Sequence, residues 1–337
     1  MSHPPLPDAT VHHLRSVADW PDTRDTKYRV TELLGQGGMG SIYAAFDTTL
    51  EREVALKVLH GLVHDSDGTA RLQQEARILA QLEHPGIVPV HEIGTLADGR
   101  IYYVMQRVRG ERLDALVARD LPRGERLRIF GRICEAVAFA HAHGVLHRDL
   151  KPENVMVGTF GAVLVMDWGV AKRLDASSTL DGGVAPPVTL DGSATTQTLP
   201  GTILGTPAYM APEQRQGRVD ELDARTDVHA LGALLHFLLV GHPPEGDAAR
   251  SLKAAGIPRP LIAIACKALA PLPVDRYESA AALGEDVGRF LVLLPVGAWR
   301  EGPLGWMART ARRHRFALAL LATYLIVRAV LFFFVGS

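Results

Sequence analysis

Apolar positions recur with a strand-like period in the first third of the chain and with a helical period after it. Residues 28–34 (Tyr-Arg-Val-Thr-Glu-Leu-Leu) predict a strand, Gly35 to Tyr43 a glycine-rich hairpin, and Val54-Ala55-Leu56-Lys57-Val58 a further strand. Leu72, Ala76, Leu79 and Leu82 share one side of a helix over 69–82. Strand-like runs follow at 87–93 and 101–108, separated by the turn Ala97-Asp98-Gly99. Near residue 108 the pattern turns helical, with Leu113 and Leu116 and then a long helix over 123–143. Residues 155–157 and 162–166 predict a hairpin, and 226–241 is almost wholly apolar, as a buried central helix should be. The expectation is an α+β, two-lobed domain: a small sheet with one helix over 28–107 and a mainly helical part over 108–292.

The two ends differ from this body. Residues 1–27 carry Pro4, Pro5, Pro7 and Pro21 without hydrophobic periodicity, so a disordered leader is expected, with no secretory signal before Tyr28. His3, His12 and His13 read as solvated tail residues. At the other end a basic segment, 293–315, precedes 316–335, a run of 20 residues whose single charge is Arg328. At a rise of ~1.5 Å per residue that run reaches about 30 Å, so one transmembrane helix is expected, the alternative being a packed apolar helix. Arg309, Arg312, Arg313 and Arg315 flank it, and positive charge favours the cytoplasmic side, which places the preceding domain there in a single-pass membrane protein. Arg328 costs about 2.5–3.5 kcal/mol at a helix centre unless it snorkels outward. Only Gly336 and Ser337 follow, so no sensor domain is expected beyond the span.

Composition narrows the partners. With 36 basic and 37 acidic residues the net charge is −1, so no global field draws the chain to nucleic acid, and none is expected as a partner. The two cysteines, Cys134 and Cys266, give neither a disulfide framework nor a zinc set and read as small buried hydrophobes.

The chemistry concentrates in His147-Arg148-Asp149-Leu150-Lys151-Pro152-Glu153-Asn154. Asp149 suits a hydroxyl proton, Lys151 suits negative charge on a moving phosphoryl group, and Asn154 suits a magnesium ion. The acid of Asp167-Trp168-Gly169, at a strand end, is placed to bind the same kind of cation. Gly35-x-Gly37-x-x-Gly40 is followed by a strand rather than a helix, which favours a loop covering phosphates over a dinucleotide turn. Lys57 stands among apolar residues and needs an acidic partner: Glu75 on the expected helix is the best candidate, while Glu51, Glu53 and Glu83 read as solvated. His141 and His143, at a helix end, read as dipole complements or core fillers.

These residues resemble the Hanks-type serine/threonine protein kinases, most closely the bacterial members, over 28–292. The resemblance rests on the glycine loop, Ala55-Leu56-Lys57, Glu75, the 147–154 run, Asp167-Trp168-Gly169, Ala211-Pro212-Glu213, Asp227 and Arg276. It implies the bilobal kinase fold, with an antiparallel sheet in the first lobe, and phosphoryl transfer from ATP to Ser/Thr of protein substrates, with Asp149, Lys151 and Asn154 catalytic. ATP would be lined by Leu34, Gly35, Gln36, Gly37, Gly38, Met39, Gly40, Ser41, Ile42, Ala55, Lys57, Glu75, Met105, Val108 and Met156. Met105 would be the gatekeeper before the hinge, and Asn154 and Asp167 the Mg2+ ligands. It further implies a Glu213–Arg276 pair, Asp227 as backbone anchor of the catalytic loop, and a spine of Leu79, Val90, His147 and Trp168, where tryptophan replaces the usual phenylalanine.

The activation segment, 167–213, repeats Thr-Leu-Asp-Gly at 179–182 and 189–192, and autophosphorylation on Thr195, Thr196, Thr198 or Thr202 is expected, read by Arg148 and performed in trans within a homodimer. The docking region is short, with only 248–256 where the family has more. A catalytically inactive membrane-bound scaffold is the alternative from another functional class, and a small-molecule phosphotransferase a third.

Overall fold

The computed structural model describes residues 20–37, 40–59, 80–119, 121–168 and 207–335. Residues 1–19 of the expected leader, Gly38, Met39, the 69–82 helix up to Leu79 with Glu75, and the activation-segment threonines lie outside the described residues; residues 20–27 of that leader are instead packed, Trp20 edge-on to Tyr43 and Lys27 paired with Glu92 at 2.6 Å. Compact packing separates two units: one of 1–111, 143–145 and 156–202, the other of 112–142, 146–155 and 203–337.

In the first unit β1 (Tyr28–Gly37), β2 (Gly40–Asp47), β3 (Arg52–Leu59), β4 (Val90–Thr95) and β5 (Ile101–Gln106) form an antiparallel sheet in the order β1-β2-β3-β5-β4. β4 begins at Val90, later than the expected 87, because Ile87 instead bridges in parallel to Val165. The strand period sorts the side chains into two sets. Tyr43, Ala45, Val54, Leu56, Val58, Tyr102 and Val104 pack with Tyr28 and Leu96 into one buried cluster. Ile42, Ala44, Ala55, Lys57, Tyr103 and Met105 are their alternates, registered opposite one another across β2, β3 and β5. A slip of one residue would exchange the two sets, so burial of the tyrosine-rich cluster fixes which face Lys57 takes.

β6 (Gly110–Arg112), β7 (Val155–Gly158) and β8 (Val163–Val165) form a small second sheet. The second unit is helical: α1 (Leu113–Val117), α2 (Arg123–Ala142), α3 (Pro212–Arg215), α4 (Ala224–Val240), α5 (Ala248–Ala254), α6 (Arg259–Ala268), α7 (Ala280–Leu291), α8 (Pro303–Arg313) and α9 (Arg315–Val335). α4 is the expected central helix, buried on every side from Thr226 to Leu239. Asp223 starts it, its side chain accepting the Arg225 N–H, and Gly241 ends it in a left-handed conformation (φ 87°) that returns an N–H to the Phe237 carbonyl at 2.7 Å. Cys134 is buried against this core, while Cys266 is only partly covered.

α9 begins one residue before the apolar run and ends with it. Among the described residues no helix is long and apolar enough to cross a membrane; within α9 the unbroken stretch of described side chains is 316–329.

Candidate active site

The two sets of site residues belong to different units. In the first, β1 and β2 carry the ends of the glycine loop, with Gly37 paired to Gly40. A Cβ on Gly40 would stand 2.4 Å from the Val58 carbonyl, so only glycine lets β2 lie this close to β3. Ala55 and Met105 are directly opposed, as are Lys57 and both Ile42 and Tyr103. Leu34 is exposed, Ser41 is buried on β2, and Met156 is half-buried on β7. Val108 lies between β5 and β6, where Arg107 and Arg109 both pair with Glu53. Glu53 is exposed, as expected of a solvated carboxylate, and two cations beside the hinge pair with it, the Arg109 bond foremost in holding its carboxyl below the ordinary range.

Lys57 is buried, and its ammonium sits 2.6 Å from Asp167 Oδ1. Burial works to discharge it, but the Tyr103 ring and hydroxyl and the Asp167 carboxylate prevail and hold its pKa above that of a free lysine. Asp167 is thus the described acid on Lys57, Glu75 being outside the described residues. Asp167 holds a left-handed backbone (φ 55°), a conformation Asp tolerates better than most residues, at the end of β8. The next residue, Trp168, is buried and donates its indole N–H to the Val165 carbonyl at 3.1 Å. That bond supplies what tryptophan needs in a place where phenylalanine would need nothing.

In the second unit the catalytic run hangs from one buried carboxylate. Asp227, in the first turn of α4, accepts the His147 N–H on Oδ2 and the Arg148 N–H on Oδ1, each at 2.8 Å. His141 at the end of α2 brings Nε2 to 2.8 Å from Asp227 Oδ2, so it serves this anchor rather than only the helix end, as expected. Burial alone would raise the Asp227 carboxyl; His141, His147 and the backbone donors outweigh it and hold it below the ordinary range. Arg148 is left-handed (φ 66°), and the turn it makes presents Asp149. The Lys151 ammonium is 2.8 Å from Asp149 Oδ2, and the buried Asn154 donates its amide to the Asp149 carbonyl at 2.8 Å and to Oδ2 at 3.2 Å. With its N–H committed inward, Asn154 keeps its amide oxygen as the free donor atom for a hard cation.

Three further residues complete this part of the helical unit. The expected pair forms bidentately, Arg276 Nη1 and Nη2 meeting Glu213 Oε1 and Oε2 at 2.7 and 2.8 Å, both side chains buried. Gln214, not singled out in the sequence, accepts the Ala211 N–H and donates to the carbonyl of Arg148 at 2.8 Å. It ties the end of the activation segment to the strained residue before the base. Only its place after Ala211-Pro212-Glu213 could have flagged it.

The chain belongs to the protein kinase domain family, which matches residues 28–275. It is 35% identical over 284 residues to the serine/threonine-protein kinase PknB of Mycobacterium leprae, covering 78% of this chain and 43% of that one. It is 36% identical over 296 residues to the serine/threonine-protein kinase PknD of Chlamydia felis, covering 79% and 31%. The solved PknI kinase domain of Mycobacterium tuberculosis aligns with 27% identity and a TM-score of 0.58, over 78% of this chain and 95% of that one. The resemblance to bacterial serine/threonine kinases and the bilobal kinase fold therefore hold, and the chain spans less than half the length of these curated relatives.

Proposed function

We propose that the chain is an ATP-dependent protein serine/threonine kinase. The observation that carries this is the catalytic run: two consecutive backbone N–H groups fixed on Asp227 set Asp149 beside Lys151 and Asn154. Asp149 orients the substrate hydroxyl and takes its proton as the oxygen attacks the γ-phosphorus and the bond to the β-phosphate oxygen breaks. Lys151 meets the charge of the moving phosphoryl group, and Lys57 the α- and β-phosphates. Asp167 in the first unit and Asn154 in the second each offer an oxygen donor of the kind that suits Mg2+, and the ion would supply charge neutralisation at the phosphates. Lys57 and Asp167 pair with each other at 2.6 Å, and on this reading Lys57 would turn to the phosphates and Asp167 to the cation. Nothing among the described residues favours an inactive scaffold, since every described phosphate, base and metal position carries a suitable group.

The finer organisation belongs to the same proposal. It comprises a leader to residue 27, lobes at 28–107 and 108–292, an activation segment at 167–213 and a basic segment at 293–315. A membrane anchor over 316–335 rests on the length and apolarity of that run, on the helix built from it, and on the exposure of Phe316, Leu320 and Ile326. Homodimeric trans-autophosphorylation of Thr195, Thr196, Thr198 or Thr202 places Arg148 as the receiving cation. Incubation with labelled ATP and Mg2+ tests the core: phosphate enters the wild type and a serine/threonine protein substrate, and Asp149→Asn lowers the rate at least about a hundredfold. Equal incorporation refutes the role of Asp149, and mass spectrometry of the same samples with all four threonines unmodified refutes the autophosphorylation.

A further inference from the structure

Between α7 and α9 the backbone is tied down at every few residues. Asp286, buried on α7, accepts the Gly297 N–H on Oδ1 at 2.6 Å and, on Oδ2, the Ala298 N–H at 3.0 Å and the Tyr277 hydroxyl at 2.8 Å. The Leu294 N–H returns to the Arg289 carbonyl. Arg309 on α8 then pairs with Glu301 at 2.7 Å and donates to the Leu293 carbonyl at 3.1 Å, both charged side chains largely covered. The basic segment is thus a folded extension of the helical unit and not a loose tether.

α8 is held by its Arg309 side. About 60° away around the helix, at the i, i+4, i+7 spacing, run Trp306, Thr310 and Arg313, with Met307 beside them. Trp306 and Met307 are more than half exposed, an unusual condition for a tryptophan and a methionine with no described neighbour to cover them. The charge is one-sided: over 293–315 there are five arginines and a single acid, Glu301, which Arg309 already occupies. Directly after α8 come the exposed apolar side chains of α9.

We propose that α8 lies flat on an anionic lipid surface, with Trp306 and Met307 at headgroup level and Arg300 and Arg313 on lipid phosphates. An amphipathic helix of this kind, basic on its rim and carrying tryptophan on its apolar side, partitions into the interface rather than crossing it. The Asp286 and Glu301–Arg309 ties then hold the helical unit of the kinase against the membrane surface. This rests on the anchor over 316–335, and the test separates the two.

The full chain is reconstituted with phosphatidylcholine nanodiscs, with and without phosphatidylglycerol, and compared with Trp306→Phe, a substitution at an exposed site. The fluorescence difference between the two reports Trp306 alone among the four tryptophans. In anionic discs that difference is expected to be blue-shifted and to lose about half its intensity to lipids brominated high on the acyl chain. Arg300→Glu combined with Arg313→Glu is expected to weaken both effects. A chain that co-elutes with the discs while its Trp306 emission stays water-like and unquenched overturns the proposal and leaves the anchor standing. A chain that fails to co-elute overturns both.

Discussion

His229 sits one turn from the start of α4, 5% exposed, with Nδ1 unpartnered and the Arg276 guanidinium nearby. Burial first, and the guanidinium second, bring its pKa down from 6.5 to about 4. Above pH 6.5 the imidazole is neutral folded and unfolded, and it contributes nothing to pH dependence. As pH falls from 6.5 towards 4 the unfolded chain takes a proton that the fold refuses, so stability drops by roughly 3 kcal/mol and then levels off. Glu213 and Asp227 have lowered pKa values, so the stability they contribute is lost further down, as pH passes below the ordinary carboxylate range. Urea unfolding between pH 7 and 4 should therefore show His229→Gln with a shallower acid loss than wild type, and an unchanged slope would contradict this account. The partners found here also mark the limit of the sequence as a source. The catalytic run could be read because its members lie within eight positions, whereas His141 meets Asp227 across 86 residues and Gln214 meets Arg148 across 66. Contacts at that separation are made by packing and leave no local period.

At the scale of elements, α4 was legible because a run apolar on all sides can only be buried, and β2, β3 and β5 because alternation showed which side chains share a face. What periodicity cannot show is how closely two elements approach. Gly232 lies in the middle of α4, and a Cβ built there would stand 2.8 Å from the Ala268 Cβ of α6. Two effects compete on Gly232→Ala: better helix propensity is worth about 1 kcal/mol, while forcing the helices apart costs about 1–3 kcal/mol. Backbone and a packed methyl must both yield, so the overpacking wins, and the net effect is a destabilisation of up to about 2 kcal/mol, seen as a lower urea midpoint at unchanged slope. A stabilised variant would mean that α6 shifts freely and that the approach is incidental. The same principle of close approach applies at Gly284 on α7, where a Cβ would come within 2.8 Å of Cys134 Cβ on α2.

Across the whole molecule the question is where the folded kinase stops and its attachment begins. The family resemblance put the end of the domain at 292, and the family match ends at 275, yet Asp286 draws its two backbone donors from Gly297 and Ala298. A buried carboxylate stripped of both keeps only the Tyr277 hydroxyl, and leaving such acceptors unsatisfied costs about 1–3 kcal/mol. Two truncations separate attachment from folding. Ending the chain before Phe316 removes α9 and leaves every tie from Asp286 to Arg309 in place, so the protein should move from the membrane to the soluble fraction with its melting temperature unchanged. Ending it before Leu293 removes the ties as well, and the melting temperature should fall by about 2–6 °C, the shift such a loss produces in a domain of this size. If the shorter protein melts with the longer one, the segment after α7 is an appendage and the domain ends at 292, as the resemblance implies. If the chain ending before Phe316 still sediments with membranes, the attachment resides in α8 and the preceding arginines rather than in the apolar run.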